Sequence, residues 1–267
     1  MESKKLIISD IFFEYSKKAQ AIKGDTHYHN NYEIYYLTEG SCRYFIGNNS
    51  YRLTSGDIAL IPRGVIHKTN YANKNRSRIL LSCPESYIPL SVREKFSEIP
   101  YFPKSVNTSQ KIKEIFECIE KECSNPDEFS EDVIRFKIGE LLLLIVRNHD
   151  SNSHLQDKHS LIEQAIDFIQ NNYASNITLS QTAEHCFVSC EHLSRTFKKE
   201  TGFGFREFLN IYRLKKAESI LKFHPEYKIV DVALSCGFND SNYFSKVYKQ
   251  VYKISPTKAK MKGEQNV

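Results

Sequence analysis

Residues 178–199 read TLSQTAEHCFVSCEHLSRTFKK, and residues 228–250 read KIVDVALSCGFNDSNYFSKVYKQ. The two segments are copies of one pattern. Ala183 falls on Ala233 at an offset of fifty residues, whereas Ser194 falls on Ser245 at fifty-one, so the second copy carries one extra residue between its halves. A repeat whose offset changes midway is one supersecondary unit used twice with turns of different length. Each copy predicts a short helix, a tight turn and a second, amphipathic helix. Leu179, Thr182 and Ala183 give the first helix its inward face, and small Ala183 admits a close partner. Cys236-Gly237 supplies a residue free to take a positive φ at the second turn. Ser189 and Asp240 stand where the N-cap of the following helix belongs.

The second helix of each copy has two unlike faces. Leu193 with Phe197, and Phe244 with Tyr248, lie four apart and bury one stripe. The opposite stripe carries Glu191, Ser194, Arg195, Lys198 and Lys199 in the first copy, and Ser241, Asn242, Ser245, Lys246 and Lys249 in the second. Such a helix suits a major groove, where amide and guanidinium groups meet base edges and lysines meet phosphates. Arg195 is the strongest base-reading candidate, because its fork can take a guanine bidentately. Between the copies, Phe205 to Lys222 is amphipathic, contains no Gly or Pro, and ends at His224-Pro225. This rigid spacer would set two reading heads about one duplex turn apart. A basic stripe alone could be a solvated surface; agreement of repeat, turns and polar stripes favours DNA.

Residues from about 161 to 260 resemble the DNA-binding domain of the AraC/XylS family of bacterial transcription regulators. The carriers are Leu193-Ser194-Arg195, Phe197-Lys198-Lys199, Gly202, Arg213-Leu214, Ala217, Ala233, Cys236-Gly237-Phe238, Asp240, Tyr243-Phe244-Ser245 and Ser255-Pro256. The chain departs from that pattern at Phe187 and Lys253, where Gly is common, and at Ala259-Lys260, which replaces a frequent Tyr-Arg. The resemblance implies double-stranded DNA and RNA polymerase as partners, and favours activation over repression.

The chain has 267 residues and a net charge of +5, enough length for two domains with separate cores. From residue 160 onward there are fifteen Lys/Arg against eleven Asp/Glu, so four of the five surplus charges lie in the repeat half, as a phosphate-binding face requires. Seven cysteines without a C-x-x-C pair argue against a disulfide framework and for reduced thiols in a cytoplasm, with Cys186 and Cys190 as candidates for a thiol sensor. The longest apolar run, Leu141 to Val146, is far short of the roughly 18 residues that span a membrane.

The first half is strand-rich from about 6 to 83. Apolar and polar residues alternate in Tyr32–Leu37, Cys42–Ile46, Tyr51–Leu53 and Asp57–Ile61, separated by Glu39-Gly40, Gly47-Asn48-Asn49 and Ser55-Gly56. Within it, His27, His29, Glu33 and Gly40 are followed by Gly56, Pro62, Gly64 and His67 at spacings similar to the two motifs of cupin barrels. In cupin enzymes those motifs give two His, a Glu and a further His to one metal. In a strand, residues of equal parity share a face, so His27, His29 and Glu33 can point inward together, with His67 closing the set. This leaves room for a divalent metal. The same residues could instead bond one another or a ligand, and regulators of the resembled family commonly carry such barrels as effector pockets without catalysis. Tyr35 and neighbouring aromatics could line a pocket for a small polar molecule or serve as core.

From Pro84 to about Lys104 no periodicity is evident. Helices are predicted over 109–123 and 129–147, the second apolar enough to serve a homodimer, as the resemblance also implies, or else to cover the barrel. Residues 148–159 are polar and aperiodic, an interdomain linker with three histidines to which no role is assigned. The expected organisation is therefore a cupin-like barrel (about 6–83) with dimer helices in 1–147, a linker at 148–159, and an all-α domain at 160–262 with helix-turn-helix motifs at about 178–200 and 228–251. The expected function is an effector-responsive, DNA-binding transcription regulator, cytoplasmic, with no cofactor and no catalysis. The rival is a metal-dependent cupin enzyme with an appended helical domain. A nonspecific nucleoid or RNA-binding protein is disfavoured by the modest charge and the lack of exposed aromatic platforms on the polar stripes.

Overall fold

A computed structural model of the chain describes residues 4–17, 31–71, 76–98, 101–102, 106–148 and 161–264. Strands come first: β1 (Lys4–Ile8), β2 (Ile11–Lys17), β3 (Tyr32–Glu39), β4 (Ser41–Ile46), β5 (Asn49–Thr54), β6 (Ile58–Ile61), β7 (His67–Asn70) and β8 (Ser77–Cys83). Then follow α1 (Leu90–Glu98), the short strand β9 (Tyr101–Phe102), α2 (Val106–Ser124) and α3 (Ser130–Arg147). The rest is helical: α4 (Leu161–Asn172), α5 (Leu179–His185), α6 (Cys190–Thr201), α7 (Phe205–Phe223), α8 (Ile229–Ser235), α9 (Ser241–Tyr252) and α10 (Pro256–Glu264).

The strands form two antiparallel sheets, one in the order β1-β2-β8-β3-β6-β9 and the other β5-β4-β7. In β3 the period of two assigns each side chain a side. Tyr32, Ile34 and Tyr36 meet α2 and α3 in a core with Ile115, Phe116, Ile119, Ile138, Leu141 and Leu142. Tyr35 and Leu37 point the other way and pack with Cys42, Tyr44, Ile46 and Leu53 of the smaller sheet. Leu141 and Leu142 of the apolar run are thus fully buried against the sheet.

The stretch after Pro84 is not irregular, as its sequence had suggested. Pro89 starts α1 instead of breaking it: its carbonyl accepts the Val92 amide at 2.9 Å, and a proline at a helix start gives up no bond the helix needs. The paired helices also begin close to their expected places, with Ser130 capping the α2–α3 turn by accepting the Asp127 amide at 2.9 Å.

The helical domain has two cores that share α7. Phe208, Leu209 and Ile211 join Ile162, Ala165, Ile166 and Ile169 of α4 with Ala183, Leu193 and Phe197. One to three turns further on, Leu214, Ala217 and Leu221 join Val232, Ala233, Phe244 and Tyr248. Serving two cores on different sides explains how a single nineteen-residue helix can fix both pairs, α5–α6 and α8–α9. Among the described residues, no helix is long and apolar enough to cross a membrane.

Candidate nucleic-acid interface and inner face of the sheet domain

The two helix pairs are built alike and capped alike. Thr178 accepts the Gln181 amide while the Gln181 side chain accepts the Thr178 amide, a reciprocal cap that starts α5. Ser189 accepts the His192 amide at 3.2 Å to start α6, and Asp240 accepts the Asn242 amide at 2.8 Å to start α9. Four residues separate α5 from α6 and five separate α8 from α9, the one-residue difference seen in the repeat. Both turns pass through a left-handed residue: Phe187 at φ 56° in the first, Gly237 at φ 84° in the second. The bonds correspond as well, Val188 N to Ala183 O and Phe238 N to Ala233 O, each at 3.0 Å.

Leu193, Phe197, Phe244 and Tyr248 are buried, which turns the polar stripes outward. Glu191, Ser194, Arg195, Lys198 and Lys199 are exposed on α6; Asn242, Lys246 and Lys249 are exposed on α9, with Ser241 and Ser245 half-buried. The two pairs are tied together by Arg213 on α7. Its Nε donates to Tyr173 O and its Nη2 to Ser175 O, both at 2.7 Å, and its guanidinium lies 5.8 Å from the Phe238 ring centre. The loop before α5 and the turn before α9 therefore share one strut.

In the sheet domain, Glu33 and Tyr35 lie on the face of β3 that looks toward the smaller sheet. The Tyr44 hydroxyl donates to Glu33 Oε1 at 2.9 Å, and His67 Nε2 stands 3.9 Å from Glu33 Oε2. His67 Nδ1 lies 2.8 Å from the Val65 carbonyl, which can only accept, so Nδ1 carries the proton and Nε2 is turned toward Glu33. Glu33 and His67, two of the expected site residues, are thus brought together; His27 and His29 lie outside the described residues. Among the described residues no group of three metal-ligating side chains occurs. Tyr35 makes an edge contact with Tyr44 at 4.9 Å and meets the Tyr71 hydroxyl at 3.2 Å. Burial, then the Glu33 carboxylate, pushes the Tyr44 hydroxyl well above its ordinary range. Burial likewise raises the Cys42 thiol to about 11 and the Cys83 thiol to about 12. All seven cysteines are free thiols, and Cys186 of the suggested sensor pair is buried with its pKa raised by that burial, the wrong direction for a reactive thiol.

The other face of the smaller sheet carries the helical domain. Phe45 of β4 is 1% exposed and inserts between Phe203 and Phe208, with ring centres 6.1 and 5.8 Å away. Opposite it in β7, Lys68 crosses the Phe203 ring and donates to Glu207 Oε1 at 2.9 Å. Arg43 pairs with Glu200, Asn70 donates to Lys199 O at 3.1 Å, Ser50 to Glu200 O at 3.0 Å, and Gln170 to Asn48 Oδ1 at 2.9 Å. Gly202, at φ 77°, ends α6 and leaves the Lys68 stem space that a Cβ would crowd at 3.2 Å. The last turn of α6 is thereby fixed to β4, β5 and β7. Sequence reasoning missed this contact, together with Arg76 and Arg78. A signal was present: Arg43 and Phe45 alternate with Cys42, Tyr44 and Ile46, so β4 is apolar or charged on both sides and must be covered on both.

On the far side of the sheet domain, α3 borders an open cleft of about 600 Å³ lined by Tyr87, Arg135, Phe136, Gly139, Leu143 and Arg147, among others. Phe136 is 75% and Leu143 37% exposed there.

Comparison with known proteins agrees with this division. A family model described as an AraC-like ligand binding domain matches residues 15–134, and one described as a helix-turn-helix domain matches residues 182–261. The HTH-type transcriptional activator RhaS of Escherichia coli is 23% identical over 241 residues, which span 86% of this chain and 85% of that protein. Among solved structures, ToxT from Vibrio cholerae O395 is 18% identical over 95% of this chain and 98% of its own, with a TM-score of 0.41. The C-terminal domain of the response regulator yesN from Fusobacterium nucleatum is 33% identical over 37% of this chain and 95% of its own, with a TM-score of 0.35.

Proposed function

We propose, for a chain that belongs to the AraC family of DNA-binding transcription regulators, that α6 and α9 enter successive major-groove segments of one operator and that a small molecule held inside the sheet domain controls them. The observation that carries this is the duplicated helix pair: two equally capped second helices, each with one buried stripe and one outward polar, basic stripe. Glu191, Ser194 and Arg195, then Ser241, Asn242, Ser245 and Lys246, face base edges; Lys198, Lys199 and Lys249 face phosphates. The nineteen residues of α7 rise by about 28 Å, comparable with the roughly 34 Å of one duplex turn.

The domain limits we assign are 1–147 for effector binding and dimerisation, 148–159 for the linker and 160–262 for DNA binding. The two sheets close as a cupin-like barrel around Glu33, Tyr35, Tyr44 and His67, with the effector among them. Exposed Phe136 and Leu143 support α3 as the homodimer face. RhaS is named a transcriptional activator, and we assign this chain the same role; RNA polymerase as partner and a cytoplasmic location belong to that proposal, and we assign it no catalytic residue. Control passes through the smaller sheet, whose inner side chains touch the effector region and whose outer side chains hold the end of α6.

Selection of genomic fragments by the purified chain near physiological salt tests this reading. A few fragments sharing one site of about two duplex turns are expected. Arg195→Ala should lose about 1–3 kcal/mol of discrimination at one base position while weak nonspecific binding persists. Equal losses on every sequence would make Arg195 a phosphate contact. Unselective or absent recovery with every small molecule tried, alongside a stoichiometric metal, would favour the cupin-enzyme alternative.

A further inference from the structure

Among the described residues, four buried side-chain nitrogen or oxygen atoms lack a hydrogen-bond partner, and three of them belong to two arginines, Arg76 just before β8 and Arg78 within it. Arg76 is 3% exposed, and neither its Nε nor its Nη1 meets an acceptor. Arg78 gives Nη2 to Glu14 Oε2 at 3.2 Å, but its Nη1 meets none. Arg78 shares parity with Leu80 in the core between the two sheets, and buried Arg76 lies over the Tyr71 ring that packs against that core, so both stand on the inner face of the sheet domain. The Arg76 guanidinium lies 3.2 Å from the centre of the Tyr71 ring, and the Tyr71 hydroxyl meets that of Tyr35.

A guanidinium does not shed its proton near neutral pH, so its burial cannot be relieved by titration. An unpaired buried charge is costly; the face of the Tyr71 ring offsets part of that cost, and an anion would offset more. Glu14 already serves Arg78, and Glu33 holds the Tyr44 hydroxyl and faces His67. Neither carboxylate meets the open Nε and Nη1 of Arg76. A monoanion would meet them with a single added charge, whereas a phosphate dianion would confront both Glu14 and Glu33.

We infer that the inner face of the sheet domain binds a small organic carboxylate, its charge held by Arg76 and Arg78 and its body against Tyr35 and Tyr71. The inference rests on reading this face as the effector site, and it adds the chemical class of the effector to that reading.

The test uses the full chain and measures thermal unfolding with paired probes at millimolar concentration: glucuronate against glucose, lactate against lactamide, cyclohexanecarboxylate against its carboxamide, and inorganic phosphate alone. At least one carboxylate should raise the melting temperature by several degrees while its neutral partner does not, and Arg76→Gln should abolish that rise. In anion-poor buffer, Arg76→Met should melt higher than the parent chain, because a buried charge without a partner has been removed. If Arg76→Met does not fold, Arg76→Gln in the same buffer provides that comparison. A lower melting temperature in the variant that folds, no carboxylate acting above its neutral partner, or a response to phosphate alone each overturns the inference. Operator binding is measured on the same samples. A chain that selects its operator but ignores every carboxylate remains a regulator and loses only this assignment; a chain that responds to a carboxylate but selects no DNA loses the regulator reading instead.

Discussion

Gly237 and Phe187 occupy the same place in the two copies of the helix pair and meet opposite physical demands. At Gly237 the φ of 84° excludes most side chains, and an added Cβ would come within 2.6 Å of Tyr173 O and 2.9 Å of Ala174 O. Both are backbone atoms and both belong to the loop held by Arg213. Gly237→Ala should therefore destabilise the chain by about 1–3 kcal/mol in denaturant unfolding. Phe187 accepts a similar φ with its ring 94% exposed, so it carries backbone strain without packing in return. Phe187→Gly should stabilise by about 0.5–1 kcal/mol, the relief of strain being partly offset by the larger unfolded-state entropy of glycine. A loss of stability in that variant would show that the ring has a binding partner. The sequence made Gly237 legible, because a glycine after a cysteine at the end of a short apolar helix announces a turn. It left Arg76 and Arg78 illegible, because two arginines alternating with other polar residues at a strand's start look the same whether they face water or the interior.

At the scale of the element, the caps decide how firmly the two second helices are presented. Ser189→Ala and Asp240→Ala should each cost about 1 kcal/mol of stability. Each should also weaken operator binding, because Glu191, Ser194, Asn242 and Ser245 lie within the first turns that those caps fix. Heat-induced unfolding and operator titration check the two effects; a stability loss without any loss of binding would separate the first turns from DNA recognition. Most elements were readable in advance because each combined a period with an end signal: the apolar stripe and His224-Pro225 for α7, alternation and Gly-containing turns for β3 to β6. α1 was not, since Pro89 at its start and Pro100 after it were read as interruption when one of them initiates the helix. Of the expected barrel site, parity turned Glu33 inward, which a sequence encodes directly, whereas His67 meets it from the other sheet. Their partner Tyr44 depends on which neighbouring strand stacks above, a tertiary choice that no local pattern states.

At the scale of the molecule, the sheet domain and the helical domain are joined by β4, β5 and β7 against the last turn of α6 and the start of α7. Arg43→Ala combined with Lys68→Ala removes two ion pairs, from Arg43 to Glu200 and from Lys68 to Glu207. Both pairs are partly solvated, so each is worth at most about 1 kcal/mol. Freed of them, α6 should bind its operator several-fold more tightly when effector is absent and respond less when it is present, as measured by titration in both conditions. Unchanged affinity and unchanged response would move control to the dimer face of α3. The partner in this contact could not be read from sequence, since its two halves lie about 140–160 residues apart at the ion pairs and β4 announces only that both its sides are covered.

The alternation along β4 turns that strand into a partition with a two-residue grain. Cys42, Tyr44 and Ile46 look into the sheet domain; Arg43 and Phe45 look out at the helices. A saturation scan of positions 42–46, scored separately for which small molecule is answered and for how strongly DNA is held without one, should give two interleaved combs. Even positions should change the molecule recognised, odd positions the basal grip on DNA, and scarcely any residue should change both. Neighbours in the chain would then be free to vary for different ends, so that a descendant of this protein could change what it senses without disturbing how sensing is transmitted.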